Sequence, residues 1–165
     1  MTPFIPAIQA FEKEGVRYVV VGGLAAIAHG VNRYTSDIDF VVQLDQVNAE
    51  RAVRVLTSLG LKPRAPVDPV QFANAETRKT WIRDKNMMVF SFFDPKDPFL
   101  TIDIFVDYPV EFEGLFERSV VKKLGNLPVR VCAREDLLAM KRKVGRPKDL
   151  EDVRLLERMD AKDDR

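Results

Sequence analysis

The chain has few of the devices that fix a fold from outside its own core. A single cysteine, Cys132, rules out an intrachain disulfide. It ends an apolar strand pattern, and the expectation is a small core residue. No apolar run approaches the roughly 20 residues needed to span a bilayer. Glu12, Lys13 and Glu14 interrupt the apolar residues of the N-terminus, which has no basic-then-apolar leader pattern. A cytoplasmic protein without membrane contact is expected. The net charge of +1 gives no global attraction to nucleic acid. There is no internal repeat, low-complexity segment or long flexible linker. What remains is an ordinary soluble composition, 46% hydrophobic over 165 residues, enough for one domain with a small appendage. The charge is unevenly spread: Arg134 to Lys148 is basic, and the tail from Glu151 is mostly acidic.

Thr2-Pro3 reads as a helix start, with Phe4, Ile8 and Phe11 on one stripe and Gly15 as the stop. A strand over 17–21 and a short Ala-rich helix over 24–29 follow. A second strand spans 36–42, and a helix from Asp45 or Asn48 runs to Gly60. Residues 61–86 read poorly, because Pro63, Pro66 and Pro69 make the entry irregular and 70–83 fits helix or a mixture. Met87 to Phe93 is nearly all apolar and predicts a buried strand. Asp94 to Pro98 is a turn, and Leu100 to Val106 alternates cleanly. A short helix is expected over 111–118. Gly125-Asn126 signals a hairpin between 120–124 and 127–131. Two helices, about 134–144 and 149–159, surround Gly145-Arg146-Pro147-Lys148, and 160–165 is expected to fray. The expected architecture is α/β (α+β). It has a mixed twisted sheet with helices against one face, an acidic trio on the other, and a C-terminal helix pair closing one side of a cleft. The core would span 1–132 with an insertion at about 61–86, and the helical segment would span 133–165.

The stretch from Tyr18 to Val42 carries most of the chemistry. Gly22 and Gly23 end the first apolar run, and a glycine turn leading into a helix offers unpaired backbone N–H groups that suit a phosphate. Asp37 and Asp39 sit two apart on the next strand and so point the same way, while Ser36, Ile38, Phe40 and Val42 point into the core. Two carboxylates on one face repel unless a cation lies between them. Mg²⁺ is commonly held by carboxylates plus substrate phosphates. Cradle and clamp together point to phosphoryl or nucleotidyl transfer.

Asp103 lies on the face opposite Ile102 and Ile104. If its strand pairs beside 36–42, three carboxylates converge and could hold two metal ions, with Asp103 also able to accept the attacking proton. The plainer alternative is an aspartate on a solvated sheet face. Lys141 falls inside the apolar arc of Leu137, Leu138, Met140 and Val144. It must meet either a phosphate or a carboxylate from the next helix, Asp149 or Asp152. Arg142, Lys143, Arg146 and Lys148 form either a solvated basic face or a landing site for RNA phosphates. Arg33 faces the two aspartates. It is expected to pair with Asp37 or Asp39 in the empty protein and to grip phosphate when nucleotide is present. His29 reads as a helix C-terminal residue or a substrate contact. Trp81, Phe90, Phe92 and Phe93 read as core, with base stacking as the alternative for Trp81.

These residues resemble the DNA polymerase β-like nucleotidyltransferase superfamily. Its signature is Gly-Gly or Gly-Ser, then acidic–apolar–acidic on a strand, then a third acid on a later strand. Here these are Gly22-Gly23, Asp37-x-Asp39 and Asp103. The run from Gly23 to Asp39, GLAAIAHGVNRYTSDID, narrows the resemblance to small bacterial proteins related to the AbiEii-type toxin nucleotidyltransferases. The tail with Glu135-Asp136-Leu137-Leu138, Lys141, Gly145-Arg146-Pro147-Lys148-Asp149 and Asp152 is similar as well, and in that group the inward lysine lies near the nucleotide. The resemblance implies that Asp37, Asp39 and Asp103 hold metal, two Mg²⁺ or Mn²⁺ ions. It implies that the Gly23 region holds the triphosphate of an NTP, and that an NMP passes to an acceptor hydroxyl of tRNA, protein or a small molecule. A toxin–antitoxin pair, with an antitoxin or helical partner protein, is implied too. One departure is that Gly23 stands where a serine can stand. Without that hydroxyl, backbone N–H groups, Ser36 or Arg33 must hold the phosphate. The competing readings are a non-catalytic or partner-controlled nucleotide- or RNA-binding module, and simple RNA binding through the basic C-terminal face. The first is disfavoured because all three acids are present, the second by the near-zero net charge.

Overall fold

Apolar alternation and local capping set the elements of this chain. The computed structural model describes residues 4–163, with side chains described through residue 160. The expected Thr2-Pro3 start and the last two residues lie outside the described residues. Helix α1 (Ile5–Lys13) leads to strand β1 (Tyr18–Val21), helix α2 (Gly22–Ala28) and strand β2 (Asp37–Val42). Helix α3 (Gln46–Ser58) starts at Asp45, whose side chain accepts from Asn48 N at 3.0 Å. Asn48 is itself buried, and its amide bonds Arg17 and Gln43, tying the helix start to the end of the β1–β2 pair.

Residues 61–86 resolve into a short strand β3 (Lys62–Pro63), a 3-10 turn (Pro69–Ala73) and helix α4 (Ala75–Lys85), capped by Asn74. Strands β4 (Val89–Asp94) and β5 (Asp97–Phe105) form a hairpin whose turn is tighter than the sequence suggested, since Asp94 pairs with Asp97. Helix α5 (Phe112–Arg118) is capped by the Glu111 carboxylate. Strands β6 (Val120–Leu124) and β7 (Leu127–Val131) form the expected hairpin. Helices α6 (Arg134–Val144) and α7 (Pro147–Asp163) complete the described chain. The last helix begins earlier and runs further than the sequence pattern suggested. Pro147 suits the first turn, and the helix continues through Asp160 to Asp163 instead of fraying there.

The seven strands form one mixed sheet in the order β3-β4-β5-β2-β1-β7-β6. On one face, Phe11, Tyr18 and Phe40 pack ring against ring. Trp81 stacks on Phe90 at a centroid distance of 5.0 Å, and Phe72 stacks on Phe90 at 5.6 Å. Trp81, Phe90 and Phe92 are therefore core residues, and Trp81 has no free face for a base. Phe93 is a correction to the expected apolar strand: it points to the opposite face, where the Arg64 guanidinium lies 5.1 Å from its ring centre. That opposite face is not bare. Helices α2 and α6 meet there, and α7 packs on α6. Val19 and Val21 are accordingly as buried as Val20, which faces the other way.

Candidate functional site

Register decides where the acids meet. Strand β2 pairs in parallel with β5, with Asp39 directly opposite Asp103 and Asp37 opposite Thr101. Residues opposite one another share a face, and i, i+2 neighbours share it too. Asp37, Asp39 and Asp103 thus occupy one patch of sheet at the floor of a cleft of about 680 Å³. The cleft also takes in Gly22, Gly23, Arg33 and Lys141, so all but one of the residues expected to hold metal or nucleotide come together. The exception is Ser36. It does not line the cleft, and its hydroxyl lies 3.4 Å from Asp37 Oδ1 as a local contact. A position one residue from Asp37 along an extended strand faces away from it.

Gly22 is required where it stands. Its φ is +69°, as the chain leaves β1 to start α2, and an added Cβ would lie 2.2 Å from Asp39 Oδ2. Alanine there must both adopt a left-handed backbone and push the carboxylate aside. Gly22→Ala is expected to destabilise the protein by about 2–4 kcal/mol. A melting temperature within a degree of wild type would show that the carboxylate yields freely.

The electrostatics of the trio are those of acids held without a counter-ion. Burial first, then the charges of Asp103 and Asp37, push the Asp39 carboxyl up to about 7, against the pull of Lys141 and Lys148. Asp103 is also raised, mainly by burial and further by Asp37, against the hydrogen bond from Ser91 and the charge of Arg64. Ser91, on β4 opposite Asp103, donates to Asp103 Oδ1 at 2.6 Å. The sequence reading missed Ser91 because it took 87–93 as a continuous apolar run. Strict alternation about Phe90 and Phe92 would have put Ser91 beside Asp103.

The chemistry of this donor set fits a hard divalent cation: carboxylate oxygens on neighbouring backbone positions, with mutual repulsion that a cation would relieve. The present rotamers do not close on an ion. Among the described residues, no three His, Cys, Asp or Glu side chains are gathered tightly enough to share one. Asp103 is engaged by Ser91, and Asp37 has Ser36 beside it. The expected convergence is met by the register and not by the side-chain directions.

The cationic wall differs from the sequence expectation. Arg33 does not pair with Asp37 or Asp39. Its Nη2 donates to Asp152 Oδ2 at 3.0 Å, and its Nε lies 3.0 Å from Oδ1, although off the line of a hydrogen bond. Asp152, on α7, is buried and so offers Arg33 a carboxylate with little competing water. Lys141 meets the same carboxylate at 2.8 Å and Asp149 at 3.6 Å, and so takes the carboxylate alternative while still lining the cleft. Asp149 is buried, which raises its carboxyl, but bonding to Arg146 and the charge of Lys141 outweigh this and hold it below the usual range. Arg134 and Arg142 pair with Asp160 and Glu157 of α7. The acidic tail thus neutralises much of the basic run, leaving Lys143 and Lys148 on the cleft wall. A basic face free to land on RNA phosphates is correspondingly reduced.

The remaining residues take structural roles. His29 ends α2, and its Nε2 bonds Cys132 O at 2.8 Å, linking that helix to the end of β7. Cys132 is fully buried, and burial pushes its thiol up to about 12. The cleft also has an apolar lining, with Ile82, Met87, Met88 and Phe105 from α4 to β5, and Met140 and Val144 beside Lys141 on α6. Ile82 lies near the end of the segment that was hardest to read, and Met87 directly follows that segment.

Three comparisons bear on this arrangement. No curated protein matches the chain. Among solved structures, the solution structure of the antibiotic-resistance factor ANT(2″)-Ia superposes with a TM-score of 0.63 at 15% identity, covering 94% of this chain and 80% of that one. ANT(2″)-Ia in complex with adenylyl-2″-tobramycin gives 0.60 at 17%, covering 94% and 86%. The lincosamide antibiotic adenylyltransferase LnuA, lincomycin-bound, gives 0.63 at 14%, covering 94% and 95%. At these identities the likeness is one of fold. The family model for the nucleotidyl transferase AbiEii toxin of type IV toxin–antitoxin systems matches residues 8–165. The chain belongs to that family, and is a nucleotidyltransferase by that membership.

Proposed function

We propose that the protein transfers a nucleoside monophosphate from an NTP to an acceptor hydroxyl and releases pyrophosphate, as the toxin component of a toxin–antitoxin pair. The observation that carries this reading is the Asp39–Asp103 register, which sets three carboxylates side by side under a wall of cations. Two divalent ions, Mg²⁺ or Mn²⁺, would be held by Asp37, Asp39 and Asp103, and when bound would neutralise the triphosphate and activate the attacking oxygen. The backbone N–H groups of Gly22 and Gly23, with Arg33 and Lys141, would hold the phosphates, and Lys148 lies on the same wall. The acceptor oxygen forms its bond to the α-phosphorus as the bond to the β-phosphate bridge breaks. The hydroxyl proton would pass to Asp103. The apolar lining would receive the base or the acceptor. The acceptor is an RNA end, a protein hydroxyl or a small molecule. The last is the class that the adenylyl-tobramycin complex of ANT(2″)-Ia exemplifies for that protein. An antitoxin or helical partner would control the activity.

The test is a transfer assay with each α-³²P NTP and Mg²⁺ or Mn²⁺, using bulk tRNA and host lysate as acceptors. The Asp37→Asn/Asp39→Asn double variant is the control. Label that moves only with wild type identifies nucleotide and acceptor together. NTP binding without transfer would favour the partner-controlled module. Failure of both would leave the acids without a catalytic role.

A further inference from the structure

Resting on the nucleotidyl-transfer reading, we infer that Arg33 occupies the place of the missing serine hydroxyl as the triphosphate ligand, and that Asp152 of the C-terminal helix is its positioning residue. The argument begins with Gly23. A Cβ built there would lie 2.6 Å from Arg33 Nη2 and 3.1 Å from Thr35 Oγ1. The guanidinium therefore fills the volume that any side chain at position 23 would use. Such a contact is cheap when the neighbour is the free end of a long side chain, but this end is not free. Asp152 grips its Nε–Nη2 edge, and the Tyr34 carbonyl accepts from Nη1 at 3.2 Å. Thr35, which takes part in the same crowding, is itself tied to the Asp37 backbone. Serine at position 23 and arginine at position 33, as held here, exclude one another.

What the fixed guanidinium offers follows from its donor count. Arginine carries five N–H donors and no acceptor. Asp152 and Tyr34 use one hydrogen on each Nη, so among the described residues each Nη keeps one hydrogen without an acceptor. Arg33 and Gly23 line the same cleft as the acids, so the guanidinium stands on the surface that a polyphosphate would approach. Arginine recognises phosphate through paired donors of this kind. Asp152 also holds Lys141 at 2.8 Å. One buried carboxylate thus fixes two cations, and the pair keeps a net positive charge directed at a polyanion. Ordering both side chains before the nucleotide arrives removes that entropy cost from binding.

The experiment measures the affinity of each Mg²⁺–NTP and of the matching NMP by calorimetry, since only the triphosphate reaches a ligand placed for it. Arg33→Ala is expected to weaken NTP binding by tenfold or more while leaving NMP binding nearly unchanged, collapsing the discrimination between them. Arg33→Lys is expected to recover part of it. Gly23→Ser is expected to weaken NTP binding with Arg33 present. The double variant Gly23→Ser/Arg33→Ala is expected to bind NTP better than Arg33→Ala alone, because the hydroxyl then has room. Asp152→Asn, which keeps the shape but loses the charge that fixes Arg33, is expected to lower the NTP-to-NMP ratio in the same direction. A wild-type protein that discriminates, with an unchanged ratio in Arg33→Ala or no loss in Gly23→Ser, overturns this assignment and leaves nucleotidyl transfer standing. A wild-type protein that binds no NTP overturns both.

Discussion

Asp39→Asn is expected to reduce nucleotidyl transfer by on the order of a thousandfold and, in the same protein, to raise the melting temperature measured in EDTA at pH 8. The two effects share a cause. Asp39 is the acid at the centre of the trio, opposite Asp103 and two residues from Asp37. Its carboxyl is raised from 3.8 to about 7 by burial and by both neighbours. A carboxyl with a raised folded-state pKa is protonated in the native protein over a range where the unfolded chain has lost its proton. The native state then binds more protons, so stability falls as pH rises through that range. Here the window runs from about pH 4 to about pH 7, and the loss is complete above it. A full shift of this size corresponds to about 4 kcal/mol. Asp39 is only partly shielded from solvent in the cleft, which lowers the expectation to about 2–4 kcal/mol, or roughly 5–12 °C for a chain of this length.

Metal-free wild type is therefore expected to melt higher at pH 5 than at pH 8. Mg²⁺ or Mn²⁺ is expected to restore much of the difference at pH 8, because a cation between the carboxylates removes the penalty. Asp39→Asn should show a smaller pH slope and a weaker metal response, since Asp103 keeps its own carboxyl raised by burial and by Asp37. Thermal melts across pH 5–8, with and without metal, give all three results. If Asp39→Asn keeps full activity, the carboxylates are not the catalytic clamp. If wild type shows no pH slope, the trio is not electrostatically strained.

How far the sequence could be read follows from what each signal depends on. The acids were legible because two signals were local: the i, i+2 spacing of Asp37 and Asp39, and the clean alternation around Asp103. Their meeting needed one further fact, that β2 and β5 are neighbours in register, which no local pattern contains. Gly22 and Gly23 were legible as a turn, but the reason for each is a side chain distant in sequence or around a loop, Asp39 for one and Arg33 for the other. Arg33 was placed near the aspartates because it precedes them. Its actual partner is 119 residues away. Lys141 was found by its misfit on an apolar stripe, and its partner lay among the two acids named for it, because both sit on the inward side of the next helix. The segment 61–86 was obscure because prolines erase periodicity, and α4 is so polar that only Arg78 and Trp81 are buried along it. Ser91 was hidden by counting apolar residues instead of following their alternation.

Asp152→Ala is expected to be the most destabilising single change in the C-terminal helices, costing about 3–5 kcal/mol, or roughly 10 °C in melting temperature. Asp152 has a side chain 2% exposed, and it is the near partner of both Arg33 and Lys141. Removing it strands Lys141, itself 5% exposed, with Asp149 at 3.6 Å as the remaining acid and Arg146 already bound to that acid. The reverse change is milder. After Lys141→Ala, Asp152 keeps Arg33 and Asp149 keeps Arg146, so no carboxylate is left alone. The expected cost is about 1–3 kcal/mol. The double variant Asp152→Ala/Lys141→Ala should then be more stable than Asp152→Ala alone, because the uncompensated buried ammonium has gone. That reversal distinguishes a desolvation penalty from a simple sum of lost contacts. Denaturant melts of the three variants measure it, and additive losses would mean that water reaches Lys141 easily. If the reversal is found, α7 is joined to the cleft by charges that cannot separate without exposing one another. Any partner that pulls on that helix would then act on Arg33 and Lys141, and so on the wall facing the acids.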